Sequence, residues 1–471
     1  MFDICNLDFE IIVMDFSKIK SVYMIGIKGV GMTMLAQYLA EQGIKISGSD
    51  TAEVFMTDQV LAKAGVLVKL GFFANNLPAD VDLIIYSTAY NDTNEEVASA
   101  KTSGKKIMTY AEALADIFNQ SFGIAVAGSH GKTTTTAWLG FVLSQAGLGP
   151  NVMVGARVPQ FDGASLSGKS NLLVAEADEY QNKLAKLKPK MILLNNVDYD
   201  HPDFFPDKDS YEKVFKDFVA KLTAKDCLVA NFDNAVIRQL CVGLPAKILS
   251  YALETEAEFR AFDIKYQNGR QYFKVKMGDD DLGDFSIALL GHHNIANALA
   301  VIVASLELGA DLHLVRKALS EFTGTNRRLE KLGQFKQAII YDDYAHHPAE
   351  IKASVEAIRQ LYPDKKLTVV FHPHTFSRTK VFLNDFAGSF DNVDRLLVLE
   401  VYASARETSS VVGSQALIEA IQKFKPALEI VYQADLKQAE AYLRQTLQPD
   451  EVVVLMGAGD VFRIGQNLVS N

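Results

Sequence analysis

Short apolar runs alternate with amphipathic segments along the chain from residue 21 onwards. The runs SVYMIGI (21–27), GIAVAG (123–128) and MILLNNV (191–197) are rich in β-branched residues and end in glycine or polar residues, which is typical of buried strands. Residues 32–43 instead place apolar side chains at helical spacing and end at Gly43. Strands that alternate with helices in this way predict parallel sheets of the α/β class.

One segment departs from this alternation. Residues 259–290 alternate apolar and polar positions around an Asn-Gly dipeptide, which is the strongest short-range signal of a tight hairpin. We therefore predict an antiparallel hairpin attached to an otherwise parallel sheet.

Two polar stretches divide the chain into three blocks. One lies near residues 119–123 and the other is GTNRRLE (324–330). We predict three α/β domains, at 1–119, 120–324 and 325–471, each long enough to hold its own core. Residues 1–13 precede a second methionine, Met14, and are interpreted as an extended start or a small extra element.

Composition excludes several classes of protein. The 471 residues include 47 Lys and Arg against 57 Asp and Glu, a formal net charge of −10, which argues against a nucleic-acid binder. The three cysteines have no metal-like spacing and cannot form a disulfide framework, so we expect a reducing compartment. No apolar run approaches the ~18 residues of a membrane helix, and no signal peptide is visible. We therefore expect a cytoplasmic protein without membrane insertion.

The stretch GIAVAGSHGKTTTT carries the clearest chemistry. A predicted strand runs into Gly128, Gly131 and Lys132, and a helix follows. Backbone N–H groups of such a loop surround an anion, the lysine reaches the β- and γ-phosphates of a nucleotide, and the Thr133 hydroxyl contacts Mg²⁺. Position 126 is valine where the standard pattern has its first glycine. The alternative is an ordinary glycine-rich turn, but Gly-Lys-Thr in this context favours a phosphate loop.

Acidic residues follow the next two predicted strands. LLVAEADEY supplies Glu176 and Glu179, and LLNNVDYDHPD supplies Asp198, Asp200 and His201. Carboxylates at the carboxyl ends of strands near a phosphate loop are suitable Mg²⁺ ligands. The alternative is a pair of solvated loops, with His201 as a surface or capping histidine.

The first block contains a second glycine turn. Gly26, Gly29 and Gly31 follow a strand and open a helix, and Asp50 ends the next strand. The spacing is not that of the dinucleotide fingerprint, but it allows the same close approach of backbone to a pyrophosphate. A tight turn without a ligand is the alternative. A nucleotide site separate from the ATP site suggests a substrate that carries its own nucleotide.

The third block places histidines directly after two strands. Asp343, His346 and His347 lie in DDYAHHPAEI, and His374 and Arg378 lie in FHPHTFSRT. A guanidinium can bind a carboxylate through two hydrogen bonds, so Arg378 is the best candidate for binding a small anionic substrate. Thiols and a zinc-type helical spacing are missing, which argues against zinc. The alternative is that these histidines are core or capping residues.

Together these motifs resemble the Mur ligases, the ATP-dependent amide-forming enzymes of peptidoglycan precursor synthesis. The resemblance spans residues 21–464 and includes GIKGVGM, AGSHGKTTTT, EADEY, NNVDYDHPD, GHHNIANALA, RRLEKLG, DDYAHHPAEI, HPHTFSRT and LMGAGDVFRIG. It implies a Rossmann-like UDP-binding domain, a central phosphate-loop ATPase domain with a mostly parallel sheet, and a Rossmann-like C-terminal domain that binds an amino acid. It also implies UDP-N-acetylmuramate and L-alanine as substrates, with ATP and Mg²⁺ as cofactors.

The resemblance assigns roles to particular residues of this chain. ATP is assigned to Gly128, Ser129, His130, Gly131, Lys132, Thr133, Thr134, Asn294, Arg328 and Asp343, and the metal to Thr133, Glu176 and His201. The UDP-sugar is assigned to Gly29, Val30, Gly31, Asp50, Ser87 and Thr88, and the amino acid to Tyr344, His346, His374 and Arg378. Lys132, Glu176, His201, Asp343 and His347 are implied to act in catalysis.

The implied reaction is the formation of an amide through an acyl phosphate, with L-alanine as the attacking amine. His201 or a histidine of DDYAHHP is expected to take the amine proton. One alternative is a recycling ligase that attaches a tripeptide instead. Another is a catalytically silent nucleotide-binding regulator, suggested because Phe72 stands where the family has a histidine. We expect a monomer or a weak homo-oligomer.

Overall fold

In the computed structural model of this chain, the described residues are 14–55, 57–403 and 413–470. The predicted extended start at 1–13 lies outside them. The strands are β1 (Ser21–Ile25), β2 (Lys45–Asp50), β3 (Leu67–Leu70), β4 (Leu83–Tyr86), β5 (Ile107–Thr109), β6 (Phe122–Ala127), β7 (Asn151–Val158), β8 (Gly163–Leu166), β9 (Leu172–Glu176), β10 (Met191–Leu194), β11 (Cys227–Asn231), β12 (Lys247–Ala252), β13 (Phe259–Gln267), β14 (Arg270–Met277), β15 (Asp280–Ile287), β16 (Glu330–Phe335), β17 (Ala338–Asp343), β18 (Leu367–Phe371), β19 (Arg395–Leu399), β20 (Glu429–Gln433) and β21 (Val452–Met456).

The α-helices follow the strands in the alternation that the sequence predicts. They are α1 (Val30–Glu41), α2 (Asp58–Lys63), α3 (Glu95–Thr102), α4 (Tyr110–Asn119), α5 (Lys132–Gln145), α6 (Lys208–Val219), α7 (Ala235–Leu240), α8 (His292–Glu307), α9 (Leu312–Glu321), α10 (Pro348–Leu361), α11 (Phe376–Val381), α12 (Leu383–Ala387), α13 (Ser414–Phe424), α14 (Leu436–Thr446) and α15 (Phe462–Val469).

The chain forms three sheets, which confirms the predicted three-domain α/β architecture. The first has the order β3-β2-β1-β4-β5 and is parallel throughout. Its central strand β1 is buried from Val22 to Ile25, as a strand covered on both faces must be. The described residues up to Gly123, with Lys186–Lys188, form one compact unit, and the rest of the described chain forms a second.

The second sheet has ten strands in the order β15-β14-β13-β12-β11-β10-β6-β9-β7-β8. Its centre is parallel, and the predicted hairpin is present as β13 and β14, joined at Asn268 and Gly269. The antiparallel strand β15 extends it. Helix α5 crosses this sheet with the run from Thr133 to Leu143 buried, and Trp138 stacks on Phe322. This core fixes the helix whose first residue is Lys132.

The third sheet has the order β16-β17-β21-β18-β19-β20 and is parallel except for the edge strand β16. Buried apolar residues lie on both of its faces, in two separate clusters. β17 and β18 both pair in parallel with β21, which lies between them, so the loops after β17 and β18 emerge at the same end of the sheet. Those loops are DDYAHHP and HPHTFSR. The exact domain boundaries stay predictions.

Candidate active site between the middle and C-terminal domains

The glycine-rich loop connects β6 to α5, as predicted. Val126 is a fully buried strand residue, so the loop begins only at Gly128. Gly131 caps α5 with φ +78°, and a Cβ there would lie 2.8 Å from the Asn297 Oδ1 atom, so only glycine fits. The loop is held against the end of β10: the His130 N–H donates to Asn196 Oδ1 (2.7 Å), and the Ser129 hydroxyl donates to the Asp198 carbonyl (2.7 Å).

Lys132 forms a buried ion pair across the loop. Its Nζ atom donates to Glu179 Oε2 at 2.9 Å and also to the carbonyls of Gly128 and Ser129. Glu179 is 1% exposed and also accepts from the Tyr211 hydroxyl (3.2 Å). The nearby carboxylates raise the pKa of Lys132, although burial acts in the opposite direction. The ammonium is therefore held charged where the loop would surround an anion.

Thr133 and Glu176 lie together, as predicted. The Thr133 hydroxyl donates to Glu176 Oε2 (3.2 Å), and the Gly155 N–H donates to Oε1 (2.6 Å). Burial raises the pKa of Glu176, because the charged form has lost its water. His201, the third predicted metal residue, pairs with Glu179 (3.6 Å) and Asp200 (3.9 Å) rather than with Glu176. No group of three or more His, Cys, Asp or Glu side chains arranged for a metal occurs among the described residues.

A cavity of about 280 Å³ opens beside the phosphate loop. The middle domain contributes His130, Gly131, Thr134, Asn195, Asn196, Asp198, Asn231, Tyr251, His293, Asn294, Ala296 and Asn297, and the C-terminal domain contributes Arg328, Leu329, Asp343, Ala345, Ala349, Glu350, Ala353 and Ser354. Most residues predicted to bind ATP therefore meet in one place. A more open depression of about 660 Å³, lined by 361–366 and 448–451, contains none of them.

Asp343 and Arg328 form the C-terminal wall of this cavity. Asp343 accepts from the Ser354 hydroxyl (2.5 Å) and the Ala345 N–H (3.2 Å), and burial raises its pKa to about 6. The Arg328 guanidinium lies 5.1 Å from the Tyr344 ring centre. On the opposite wall, Asn294 is anchored by the Leu290 carbonyl (2.7 Å) and accepts from Asn297 (3.2 Å).

Glu350 is a site residue that the sequence reasoning missed. Its Oε1 atom lies 3.1 Å from His130 Nδ1, and its Oε2 atom accepts from the His346 N–H (3.1 Å) and the His347 N–H (3.3 Å). One carboxylate therefore joins the phosphate loop to the loop after β17. Burial acts in the opposite direction, but the side chains of His346, His130 and Arg328 hold the pKa of Glu350 well below its usual value, and Glu350 raises the pKa of His130. The capping-box spacing of Glu350 to His347 was the available signal.

His347, which is expected to act in catalysis, lies at the start of α10. Its Nδ1 atom accepts from the Ala349 N–H (3.3 Å) and its Nε2 atom lies 3.2 Å from the Tyr199 carbonyl, so both ring nitrogens are taken and the residue caps α10. The His346 Nδ1 atom lies 2.9 Å from the Tyr344 carbonyl. Burial lowers the pKa of His346 to about 3, so its imidazole is neutral at physiological pH and a weak base.

Arg378 lies beside His374, which is also predicted to bind the amino acid, and already has a carboxylate partner. Its Nε and NH2 atoms donate to Asp200 Oδ1 at 3.0 and 2.9 Å. Its NH1 atom lies 3.3 Å from His374 Nδ1, and the His374 ring stacks on Tyr402 with ring centres 5.6 Å apart. Arg378 of the C-terminal domain is thus bonded to Asp200 of the middle domain.

The residues predicted to bind the UDP-sugar lie in the first compact unit. Gly29 precedes α1, Val30 is its first residue and is exposed, and Thr88 is exposed after β4. A Cβ on Gly31 would lie 2.8 Å from the Tyr110 ring, and one on Gly26 would lie 3.0 Å from the Ser87 Cβ.

Asp50 has a structural role that the sequence reasoning did not include. It is buried and accepts from the N–H groups of Lys28 and Thr51, both at 2.7 Å. Its carboxylate therefore closes the glycine turn from the end of β2.

No described helix is long and apolar enough to cross a bilayer.

Comparison with known proteins assigns each domain to the same family. Residues 21–122 match the model described as Mur ligase family, catalytic domain; residues 126–305 match the Mur ligase middle domain; residues 327–459 match the Mur ligase, glutamate ligase domain. The chain is 37% identical over 450 residues to the UDP-N-acetylmuramate–L-alanine ligase of Desulfitobacterium hafniense, which covers 95% of this chain and 99% of the relative. It is 35% identical over 457 residues to the protein of the same name from Caldanaerobacter subterraneus, covering 97% and 98%.

Solved structures agree at the level of the fold. The UDP-N-acetylmuramate–alanine ligase of Thermotoga maritima superposes with a TM-score of 0.81 at 24% identity, covering 96% of this chain and 98% of that one. A murein peptide ligase from Psychrobacter arcticus gives a TM-score of 0.74 at 22% identity, with the same coverage. With all three domains matched in order and full-length relatives above 30% identity, the chain belongs to the Mur ligase family.

Proposed function

We propose that this chain is an ATP-dependent ligase that joins L-alanine to the lactyl carboxylate of UDP-N-acetylmuramate, a step of peptidoglycan precursor synthesis. One observation supports the proposal most directly: the phosphate loop and the loop after β17 line the same cavity and are joined by the contact between His130 and Glu350. Full-length relatives named for this reaction support the choice of substrates.

ATP is proposed to bind with its phosphates at the Gly128–Thr134 loop and its nucleoside in the cavity beside Asn294 and Arg328. The Lys132 ammonium forms an ion pair with Glu179, and a phosphate oxygen would be its second anionic partner. A loop of this kind positions phosphates with backbone N–H groups and stabilises the charge that develops during phosphoryl transfer.

Mg²⁺ fits part of the predicted ligand set. The Glu176 carboxylate and the Thr133 hydroxyl are hard oxygen donors that are already in contact, and a cation beside Glu176 would offset the burial that disfavours its charged form. When bound, the ion would neutralise negative charge on the phosphates. His201 is the less suitable ligand by hardness, since Mg²⁺ prefers oxygen.

The proposed chemistry has two displacements. A lactyl carboxylate oxygen attacks the γ-phosphorus of ATP, the bond to the β,γ-bridging oxygen breaks, and ADP leaves with the bonding electrons. The amine of L-alanine then attacks the acyl phosphate carbonyl, and inorganic phosphate leaves to give the amide. Lys132 stabilises the charge on the transferred group in the first step.

The proton released by the amine needs a base. His347 is occupied as a helix cap, and burial keeps His346 a weak base with a pKa of about 3. His201 is the remaining histidine of those considered from the sequence. It can serve as a metal contact or as the proton acceptor, but one imidazole cannot do both at once.

Phosphate release from ATP tests the proposal. The reaction contains UDP-N-acetylmuramate and either L-alanine or the L-Ala-γ-D-Glu-diamino-acid tripeptide. Release with L-alanine supports the proposed ligase. Release only with the tripeptide would identify a recycling ligase, and release with neither amine would favour a silent nucleotide-binding protein.

A further inference from the structure

The Arg378–Asp200 ion pair joins the loop that carries His201 to the residues predicted to bind the amino acid. Arg378 comes from α11 in the C-terminal domain, and Asp200 comes from the loop after β10 in the middle domain, directly before His201. Their side chains are 3% and 6% exposed. An ion pair this deeply buried costs desolvation on both partners, so its geometry must be well satisfied to persist.

The Asp200 carboxylate is fixed by its own loop. Oδ1 accepts from the His201 N–H at 2.6 Å in addition to the two guanidinium N–H groups of Arg378. Asp200 therefore acts as a rigid acceptor anchored on the middle domain.

The contacts also fix the direction of the guanidinium. Its Nε–NH2 edge faces Asp200, and its NH1 atom is turned to His374, which stacks on Tyr402. An arginine side chain loses rotamer entropy when it binds a ligand. Holding it in advance removes part of that cost, which is the general advantage of a preorganised site.

We propose that Asp200 is a positioning residue for the amino acid: it holds Arg378 from the middle domain so that the NH1 side, beside His374, receives the amino-acid carboxylate. This rests on the proposed function, since it takes L-alanine as the substrate and takes Arg378, the candidate from the sequence for an anionic substrate, as the group that binds its carboxylate. Amino-acid affinity then depends on the contact between the two domains.

A competing role for Asp200 makes the opposite prediction. If Asp200 occupied the place of the substrate carboxylate, its removal would free Arg378 and strengthen amino-acid binding. The bond from the His201 N–H argues against this, because it holds Oδ1 in place independently of Arg378.

The test is steady-state kinetics of Asp200→Asn, with Asp203→Asn as the matched control. Asp203 lies on the same loop, is exposed, and accepts only from the Tyr180 hydroxyl (2.9 Å) among the described contacts. We expect Asp200→Asn to raise the KM for L-alanine at least tenfold, with the KM for ATP and the Mg²⁺ concentration for half-maximal rate changed less than twofold. Asp203→Asn should change none of the three.

Arg378→Gln and the double variant complete the cycle. If Asp200 acts through Arg378, Arg378→Gln raises the KM for L-alanine, and adding Asp200→Asn changes it less than twofold further. Should Asp200→Asn fail to fold, Asp200→Glu keeps the charge and lengthens the side chain, and it is expected to raise the same KM at least threefold.

Three results would overturn the inference: an unchanged KM for L-alanine, a lowered one, or an equal shift in the Mg²⁺ requirement, which would place Asp200 at the metal site instead. The wild-type reaction separates the two proposals. Wild-type protein without L-alanine-dependent phosphate release would contradict the proposed function, whereas active wild-type protein with an unaffected Asp200→Asn variant would contradict only this inference.

Discussion

Lys132 and Glu179 illustrate how single residues prepare this site. The lysine is fixed by the first turn of α5 and by a carboxylate that is almost fully buried. Tyr211 and the loop carbonyls satisfy the remaining hydrogen bonds of the pair. The ammonium is thus charged and oriented before a nucleotide binds, so little reorganisation is needed when phosphate charge develops.

Replacing Lys132 with methionine should therefore abolish most of the turnover. We expect the rate of L-alanine-dependent phosphate release to fall by about 100-fold or more, because a charged donor to the transferred phosphoryl group is lost. The matched control is Lys216→Met on the exposed face of α6, which should retain wild-type activity. Comparable loss in both variants would contradict the assignment of Lys132.

A second residue-scale prediction concerns stability and His346. Its folded pKa of about 3 lies below the value near 6.5 expected in the unfolded chain. As the pH falls below ~6.5, the unfolded state binds a proton that the folded state does not. The free energy of unfolding then falls by up to about 1.4 kcal/mol per pH unit until the pH approaches the folded pKa.

His346→Gln removes this titration. The stability advantage of wild type over the variant should therefore shrink as the pH falls from 7 to 4.5, as measured by urea unfolding. The exposed His313→Gln on α9, which removes a histidine far from this site along the chain, is the control variant. A pH-independent difference for His346→Gln would show that His346 is not held neutral.

At the scale of elements, α5 is held close to the neighbouring strand β7. A Cβ on Gly140 would lie 2.6 Å from the Val152 Cγ2 atom. The helix and the strand are therefore too close for any residue other than glycine at position 140. Alanine in a helix interior usually stabilises by about 1 kcal/mol relative to glycine. Here overpacking against a fully buried valine should outweigh that gain.

We expect Gly140→Ala to lower the free energy of unfolding by about 1–3 kcal/mol. Gly388→Ala at the end of α12 serves as the control, because its Cβ would lie 3.6 Å from the Phe424 ring, an ordinary contact. That variant should stay within about 0.5 kcal/mol of wild type. Equal stability of both variants in chemical denaturation would contradict the close packing of α5.

At the scale of the whole molecule, polar side chains of the middle domain bond directly to polar side chains of the C-terminal domain. Glu350 bonds the His130 ring of the phosphate loop and caps α10 at the same time. His130 and His347 also pack with ring centres 4.7 Å apart. Binding of ATP phosphates and the position of the C-terminal loop are therefore expected to influence each other.

Glu350→Gln tests this link. The amide keeps the shape but loses the charge that pairs with His130, so the KM for ATP should rise at least fivefold while the far-ultraviolet circular dichroism spectrum stays unchanged. Glu356→Gln, on the exposed part of the same helix, should leave the KM unchanged. If Glu350→Gln keeps the wild-type KM for ATP, ATP binding at the phosphate loop does not depend on the contact with the loop after β17.

The sequence predicted the local features of this molecule and missed the long-range ones. The phosphate loop and the hairpin at Asn268 depend on residues adjacent in the chain, and both are present. The pairs Lys132–Glu179, Arg378–Asp200 and His130–Glu350 join residues 47, 178 and 220 positions apart. The strand order of the second sheet brings the first pair together, and the packing of the middle domain against the C-terminal domain brings the other two together. No spacing in one sequence encodes either.

Two residues with predicted roles at ligand sites also satisfy buried backbone groups. Asp50 was predicted because it ends the strand after the glycine turn, and the role of His347 was implied by the resemblance. Their polar atoms bond backbone groups in the first glycine turn and at the start of α10. A buried backbone N–H group needs such a partner, and the sequence alone does not tell capping from ligand binding.

The most direct test of the account follows an oxygen atom through the reaction. UDP-N-acetylmuramate labelled with ¹⁸O in its lactyl carboxylate is incubated with ATP, L-alanine and the wild-type protein, and the released phosphate is analysed by mass spectrometry. An acyl phosphate intermediate predicts one ¹⁸O atom in each phosphate formed with the amide product. Unlabelled phosphate, or phosphate released without amide formation, would contradict the proposed ligase mechanism.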